Sequence, residues 1–171
     1  MTDTPHLTFA PSPDVHPFAP KFEFAFTVGI TLSAPKIVRP STMGAERWGV
    51  WAADGYVEGP DVKGIVVPMS GGDFPLMRPN GVIDFDARYF FKMDDGSVIY
   101  LQSRGYRWPK TAEIGEKMNR NEDVGPDDYY MRVVPKFDAP EGKYAWMGQY
   151  VFVGVAEKIP GANRIHYFKV V

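Results

Sequence analysis

The segment DFDARYFFKMDDGSVIYLQSRGYR, residues Asp84–Arg107, determines the fold that we predict for this chain. Its middle, Asp94–Gly96, is typical of a tight turn, because glycine adopts positive φ without steric cost and aspartate can bond to its own backbone. On both sides of the turn, apolar side chains alternate with charged or aromatic ones, which is the period of two of a β-strand. The sequence therefore predicts a β-hairpin with one apolar face and one charged, aromatic face.

Further strands are predicted on both sides of this hairpin. The clearest is 21–32, KFEFAFTVGITL, in which large apolar residues occupy every second position. Additional strands are expected at 46–56, 62–69, 129–137, 144–156 and 164–171, and one short helix is expected at 111–121. Short Gly- and Pro-containing turns separate most of the strands, so about eight strands should form an antiparallel meander.

Such a sheet has to bury one aromatic face and protect its edges, and closure into a barrel does both. We therefore predict an all-β fold, a single antiparallel β-barrel of about eight strands over residues 21–171 with one short helix in a loop. A two-sheet sandwich made of the same strands is the alternative. Residues 1–20 contain five prolines and are expected to form an extended N-terminal arm.

Composition excludes several classes of function. A formal net charge of -2 provides no basic field to collect phosphates, so no nucleic-acid partner is expected. The absence of cysteine excludes disulfides and thiolate catalysis. No window approaches the roughly 20 apolar residues of a membrane helix, so a soluble cytoplasmic protein without a membrane partner is expected.

Metal and cofactor chemistry find little support in the sequence. His166 is the one histidine in the predicted barrel, and a single histidine cannot supply a histidine metal site. A structural hydrogen bond is its expected role. Gly71-Gly72 lacks the spacing of a phosphate-binding loop and is interpreted as a turn. We therefore predict no metal and no organic cofactor.

Carboxylates, phenols and guanidinium groups are the remaining candidates for a functional site. The candidate catalytic residues are Asp84, Asp86, Tyr100 and Tyr130, and the candidate substrate-binding residues are Trp48, Trp51, Arg88, Arg104, Arg132, Tyr144 and Trp146. If their strand faces point into the barrel, they form a polar, ring-lined pocket for a small molecule. In the alternative arrangement these faces are solvated, and Phe85, Tyr89 and Phe91 fill the interior.

A series of short motifs, in this order, resembles an uncharacterised family catalogued as domain of unknown function 3237. The motifs are Gly59-Pro60, Gly71-Gly72-Asp73, Asp86–Tyr89, Asp95-Gly96, Arg104–Arg107, Tyr129–Arg132 and Tyr144–Met147. The resemblance covers roughly residues 22–171 and implies a lipocalin-like β-barrel, without implying a reaction. The family pattern has Trp-Leu-Asn where this chain has Trp146-Met147-Gly148, so a ligand-binding asparagine at that position would be lost here.

Two functional hypotheses follow. The first is a cofactor-free enzyme that acts by acid–base chemistry on an aromatic or polyketide-like molecule, as an isomerase, dehydratase, cyclase or lyase. In it Asp84 or Asp86 is the base, while a tyrosine donates a proton and the arginines stabilise an enolate or carboxylate. The second is a carrier that binds a small apolar or aromatic anionic ligand without transforming it. Self-association as a homo-oligomer, with the N-terminal arm exchanged between subunits, is a third possibility.

Overall fold

The elements below come from a computed structural model, which describes residues 18–120, 122–159 and 161–171. Within these ranges the chain forms eleven strands, one α-helix and one 3₁₀-helix. They are β1 (Phe22–Leu32), β2 (Lys36–Val38), β3 (Glu46–Glu58), β4 (Lys63–Val66), β5 (Gly72–Asp73), β6 (Leu76–Met77), β7 (Ile83–Met93), β8 (Val98–Pro109), α1 (Ala112–Asn119), β9 (Tyr129–Asp138), the 3₁₀-helix Ala145–Gly148, β10 (Phe152–Ile159) and β11 (Ala162–Val170). Most of the predicted arm, residues 1–17, lies outside the described residues.

Eight of the strands close into an antiparallel barrel. Their order around it is β1, β11, β10, β9, β8, β7, β4 and β3, and β3 pairs with β1 to complete the ring. The predicted closed barrel is thereby confirmed, and the sandwich alternative is wrong. The short strands β5 and β6 each pair with both β3 and β7, so they lie between these two strands as β4 does. Strand β2 pairs with β3 alone.

The predicted hairpin is confirmed as β7 and β8, with Gly96 in the turn at φ 89°. Phe91 opposes Ile99, and Ala87 opposes Ser103. The apolar face of the hairpin points inward, because Phe91 and Ile99 are fully buried. We refer to the barrel end at this turn as the lower end, and to the opposite end, where β7 begins and β8 finishes, as the upper end.

Aromatic rings fill the lower half of the barrel. Phe137 is central, with its ring centroid 5.2 Å from Phe152, 5.6 Å from Phe26 and 6.3 Å from Phe91. Each fully buried side chain of this size contributes about 1.5–3 kcal/mol to folding. The 3₁₀-helix closes the lower end, since its Met147 is buried against this core.

Two strand predictions need correction. The alternation expected through 21–32 breaks at a bulge between Phe24 and Phe26, which turns Phe22 and Phe24 outward, to 56% and 48% exposure. The strand predicted at 144–156 begins only at Phe152. Tyr144 and Met147 are buried three residues apart, the period of a 3₁₀-helix rather than of a strand.

The predicted short helix is confirmed as α1, at the upper end. Thr111 caps it, because its Oγ1 accepts a hydrogen bond from the Ile114 N–H at 3.3 Å. Met118 anchors the helix in the core. The short strands β2 and β5 lie outside the strands predicted from the sequence, and β5 includes Gly72 of the predicted Gly71-Gly72 turn.

Candidate active site in the upper half of the barrel

An interior cavity of about 50 Å³ lies above the aromatic core. The cavity exists because β7 and β8 place two small residues, Ala87 and Ser103, opposite each other at this level. In the lower half of the barrel, aromatic rings fill the corresponding space. Ile30, Phe85 and Met131 contribute apolar wall. The polar side chains that line the cavity are Asp73, Tyr89, Ser103, Asn163 and Tyr167.

Asp73 reaches the cavity wall through the two-residue strand β5, which is inserted between β3 and β7. It opposes Val50 on one side and Ala87 on the other. A Cβ atom on Gly71 would lie 2.0 Å from the Arg88 carbonyl oxygen, and one on Gly72 would lie 2.0 Å from that of Val50. Only glycine lets the backbone of β5 come this close to β3 and β7. Gly71-Gly72 is therefore more than the predicted turn, because it positions Asp73 in the barrel wall.

The carboxyl group of Asp73 is held in an environment that disfavours its charge. Burial raises its pKa from 3.8 to about 6, against the opposing effects of backbone N–H donors and the charge of Arg107. One of those donors is the Asp86 N–H, which bonds to Asp73 Oδ1 at 2.9 Å. A carboxyl group with a pKa near 6 can both accept and return a proton close to neutral pH.

Three hydroxyl groups face the same space. The Tyr167 hydroxyl interacts with those of Tyr89 and Ser103, and burial raises the pKa of both tyrosines well above its usual value. Both phenols therefore stay protonated and act as hydrogen-bond donors. Ser103 is 4% exposed, and its Oγ has no partner of good hydrogen-bond geometry in the described part of the chain. This hydroxyl is available to a ligand.

Basic side chains lie at the upper rim of the cavity. Arg107 opposes Ile83 and Met131, which are both buried, so its side chain shares their inward face. Lys158 opposes Asn163, which lines the cavity. The inward rim therefore carries two cations.

The four candidate catalytic residues lie on the outer face of the barrel. Asp84 and Asp86 alternate with Phe85 and Ala87, which line the cavity, so their side chains point outward. Tyr100 packs on Phe90, and Tyr130 stacks on Trp108, both on outward-facing positions. The structure therefore has the alternative arrangement, in which these polar faces are solvated and Phe85, Tyr89 and Phe91 face the interior, because the apolar set on each strand is the one that is buried.

The carboxylates of this outer face are paired with arginines. Asp86 lies 3.2 Å from Arg88 and 3.5 Å from Arg104, oxygen to nitrogen, and Asp84 pairs with Arg78. A carboxylate bridged between two exposed guanidinium groups is typical of a surface charge network, of modest energetic value.

The remaining candidate binding residues also lie outside the cavity. Arg132 sits over the Tyr130 ring at 5.3 Å. Trp51 packs edge-on against Phe74, and the Trp48 indole donates to Glu46 at 3.0 Å. Tyr144 is buried at the lower end, and Trp146 packs on Phe152 beside it. These two support the barrel floor, so the pocket expected from them does not form.

The sequence contains a signal for the polar residues of the cavity and its rim. Ser103 and Arg107 occupy the same alternation set as Ile99 and Leu101, so a hydroxyl and a guanidinium group interrupt the apolar face of β8. Polar residues at core-facing positions mark candidate sites.

His166 has the structural hydrogen bond that the sequence predicted for it. Its Nδ1 lies 2.9 Å from Thr27 Oγ1, on the outer face of the barrel.

The described residues, 18–120, 122–159 and 161–171, contain neither a membrane-spanning helix nor a metal-binding cluster. No α-helix among them is long and apolar enough to cross a bilayer. No group of three or more His, Asp or Glu side chains in those ranges is placed to hold a metal ion.

Fold and site together define a closed, eight-stranded β-barrel with a partly polar interior cavity. The chain belongs to the family described as "Protein of unknown function (DUF3237)", whose family model matches residues 20–170. The resemblance found in the sequence motifs is thereby confirmed.

Relatives and solved structures agree with this assignment. A UPF0311 protein of Clostridium acetobutylicum is 31% identical over 149 residues, which are 87% of this chain and 93% of the relative. The crystal structure of a conserved protein of unknown function from Rhodopseudomonas palustris superposes with a TM-score of 0.82 at 30% identity, covering 90% of this chain and 98% of that one. An enzyme from Penicillium herquei shares the fold, with a TM-score of 0.69 at 20% identity over 92% of this chain and 98% of its own.

Proposed function

We propose that this protein is a cofactor-free enzyme that transforms a small molecule by acid–base chemistry, as an isomerase, dehydratase, cyclase or lyase. The observation that carries this proposal is Asp73, a carboxyl group in the cavity wall whose pKa is raised to about 6 beside protonated hydroxyls. Perturbed carboxyl groups in clefts are candidate acid–base catalysts. The Penicillium herquei enzyme adds that a barrel of this fold can host catalysis.

In the proposed reaction, Asp73 takes a proton from a C–H group of the substrate next to a carbonyl. The electron pair of the broken bond moves into an adjacent carbonyl, which becomes an oxyanion. The hydroxyls of Tyr167 and Ser103 donate hydrogen bonds to that oxyanion. For an isomerisation, Asp73 then returns the proton to another carbon of the enolate. For an elimination, the oxyanion re-forms the carbonyl, a C=C bond forms, and a leaving group on the next carbon departs with the electron pair of its own bond and takes the proton from Asp73.

The shape of the cavity restricts how the substrate binds. At about 50 Å³ it is much smaller than the 300–1,000 Å³ that enclose a drug-sized ligand. An aromatic or polyketide-like substrate would therefore insert only its reacting end, between Phe85 and Ile30, and leave the rest at the upper mouth.

A carrier of a small apolar or aromatic anionic ligand is the second candidate. The bond from the Asp86 N–H to Asp73 Oδ1 favours it, because a carboxylate held by the backbone also has a structural role in fastening β5 to β7. The carrier hypothesis predicts that ligand affinity does not change when Asp73 is protonated.

The enzyme hypothesis is tested with nitrobenzisoxazole, an aromatic C–H acid whose ring opens with a colour change when a base removes its proton. We expect the protein to accelerate ring opening above the buffer rate, with an apparent pKa of about 6 in the pH–rate profile. Asp73→Asn should abolish this acceleration. Asp86→Asn, which removes an outer carboxylate on the adjacent strand, is the matched control and should retain it.

A rate equal to that of buffer, or equal rates for wild type and Asp73→Asn, would contradict the enzyme hypothesis. Loss of activity in Asp86→Asn with retention in Asp73→Asn would instead assign the base to Asp86, a candidate from the sequence that lies on the outer face.

A further inference from the structure

The upper rim of the cavity combines two inward-facing basic residues with little charge compensation. Arg107 shares its face with Met131, a cavity-lining residue, and Lys158 shares its face with Asn163, another. Both basic side chains are half-buried. Neither side chain lines the cavity itself. Lys158 lines a neighbouring pocket with Asp123 and Glu157, and the charge of Arg107 acts on Lys158 across β9.

Arg107 differs from most other arginines of the described chain in lacking a carboxylate partner. Ion pairs within 4.0 Å are formed by Arg39, Arg78, Arg88, Arg104, Arg120 and Arg164. Across residues 18–120, 122–159 and 161–171, Arg107 makes neither such a pair nor a hydrogen bond. The Asp73 carboxylate and the Tyr129 phenol act on it only through space. A half-buried guanidinium group without a partner is costly, so a bound anion would stabilise it.

Lys158 adds a second positive charge at the same place. Its Nζ donates to the Met118 carbonyl oxygen of α1 at 3.3 Å, and its backbone N–H donates to the Tyr129 hydroxyl at 2.7 Å. Burial lowers the pKa of Lys158, and the charge of Arg107 lowers it further. The helix and the tyrosine thus fix the lysine near a like charge.

We infer that Arg107 and Lys158 bind a carboxylate group of the substrate at the upper rim, while the adjoining carbon skeleton enters the cavity toward Asp73. This inference rests on the proposed function. It names the substrate class as small carbonyl-containing or aromatic acids. The planar fork of arginine matches a carboxylate with two parallel hydrogen bonds, and lysine supplies a further donor.

Charge balance favours a carboxylate over a phosphate. The two basic residues carry two positive charges, and ionised Asp73 on the inner face cancels one of them. Two further carboxylates lie near Lys158: Glu157 is paired with Arg164 at 2.9 Å, and Asp123 lines the neighbouring pocket rather than the cavity. A single negative charge on the ligand neutralises the remainder. A dianionic phosphate would leave excess negative charge beside Asp73, and in a low-dielectric site that repulsion opposes binding.

The test uses benzoate and its neutral isostere benzamide as probes, with binding to the full-length chain followed by chemical-shift titration. We expect benzoate to bind at least about tenfold more tightly than benzamide, since charge-assisted bonds are roughly twice as strong as neutral ones. Arg107→Gln and Lys158→Gln should each weaken benzoate binding by about tenfold and leave benzamide unchanged. Arg104→Gln, on the outer face of the same strand, is the matched control and should bind both probes like wild type. Arg107→Lys, which keeps the charge, should recover part of the affinity.

Several results would overturn this inference. They are equal affinities for the two probes, unchanged benzoate binding in Arg107→Gln with a native-like spectrum, and the absence of saturable benzoate binding to wild type. Asp73→Asn separates the inference from the proposed function. It should retain or strengthen benzoate binding, since it removes a negative charge, while it abolishes ring opening. If Asp73→Asn leaves ring opening unchanged and Arg107 still governs benzoate affinity, the enzyme hypothesis fails and the carboxylate site stands.

Discussion

Replacing Asp73 with asparagine should stabilise the protein at high pH and have little effect at low pH. The folded-state pKa is about 6 and the ordinary value is 3.8, so the folded state binds this proton more tightly than the unfolded state. The stabilising contribution of the protonated form is present below about pH 4, and it is lost as the pH rises through 6. At neutral pH, ionised Asp73 therefore destabilises the fold.

The size of the effect follows from the shift. Two pKa units at 1.36 kcal/mol each give about 3 kcal/mol at most, and partial exposure to water reduces this to about 2 kcal/mol. Asparagine retains a carbonyl oxygen to accept from the Asp86 N–H, so the fastening of β5 to β7 is preserved. The variant should gain about 2 kcal/mol at about pH 8, or roughly 4–8 °C in melting temperature, and almost nothing at about pH 4.

Urea denaturation of wild type, Asp73→Asn and Asp86→Asn at about pH 4, 6 and 8 measures this difference. Asp86→Asn controls for the loss of one carboxylate, because it removes one from the outer face of β7, the strand that pairs with β5. An Asp73→Asn effect that is equal at the three pH values, or a destabilisation at high pH, would refute the assignment of a raised pKa to a buried carboxyl group.

Three further outcomes are expected. Ser103→Ala should leave the free energy of unfolding unchanged or raise it by about 1 kcal/mol, because Oγ is buried without a hydrogen-bond partner of good geometry. The same variant should slow ring opening. A loss of stability would show that the hydroxyl is satisfied in the fold. Gly105→Ala should cost about 3 kcal/mol or more in urea denaturation, since its Cβ would lie 2.1 Å from the Arg132 carbonyl oxygen, whereas Gly49→Ala, with 3.4 Å to the Phe74 side chain, should cost far less. Arg104→Gln should change the free energy of unfolding by less than about 0.5 kcal/mol, because its ion pair with Asp86 is exposed; a larger loss would show that the outer charge network supports the barrel.

The fold was accessible from sequence because the hairpin pattern depends on local alternation. The same alternation separates Phe85, which faces the cavity, from Asp84 and Asp86, which face solvent. Choosing the inner face requires only that the apolar set be buried, which is one of the two arrangements that the sequence left open. The candidate site residues of the hairpin come from the polar set, and that set faces outward.

Other features depend on contacts that local patterns do not encode. Strand β5 has two residues, and it becomes a strand only because β3 and β7 lie on either side of it. Asp73 therefore could not be assigned to the interior from its surrounding Gly-Gly segment. The outward turn of Phe24 similarly depends on the bulge between Phe24 and Phe26 in the pairing of β1 with β11, where the Phe24 ring packs on Phe168 at 5.8 Å between ring centroids.

The division of the barrel into two halves explains how it can hold charged groups inside. Burying the carboxyl group of Asp73 and the guanidinium group of Arg107 costs free energy, and the packed rings around Phe137 in the lower half offset it. A shift of one residue in the β7–β8 register would carry Asp86 and Arg104 inward and expose Phe91. The close backbone approach at Gly105 opposes that shift, since no larger residue fits against β9 there. The arrangement that keeps the paired charges in solvent thus also keeps Asp73, Ser103 and Arg107 on the inner face. There the Ser103 hydroxyl and the Arg107 guanidinium group have no hydrogen-bond partner of good geometry among the described residues and are available to a ligand.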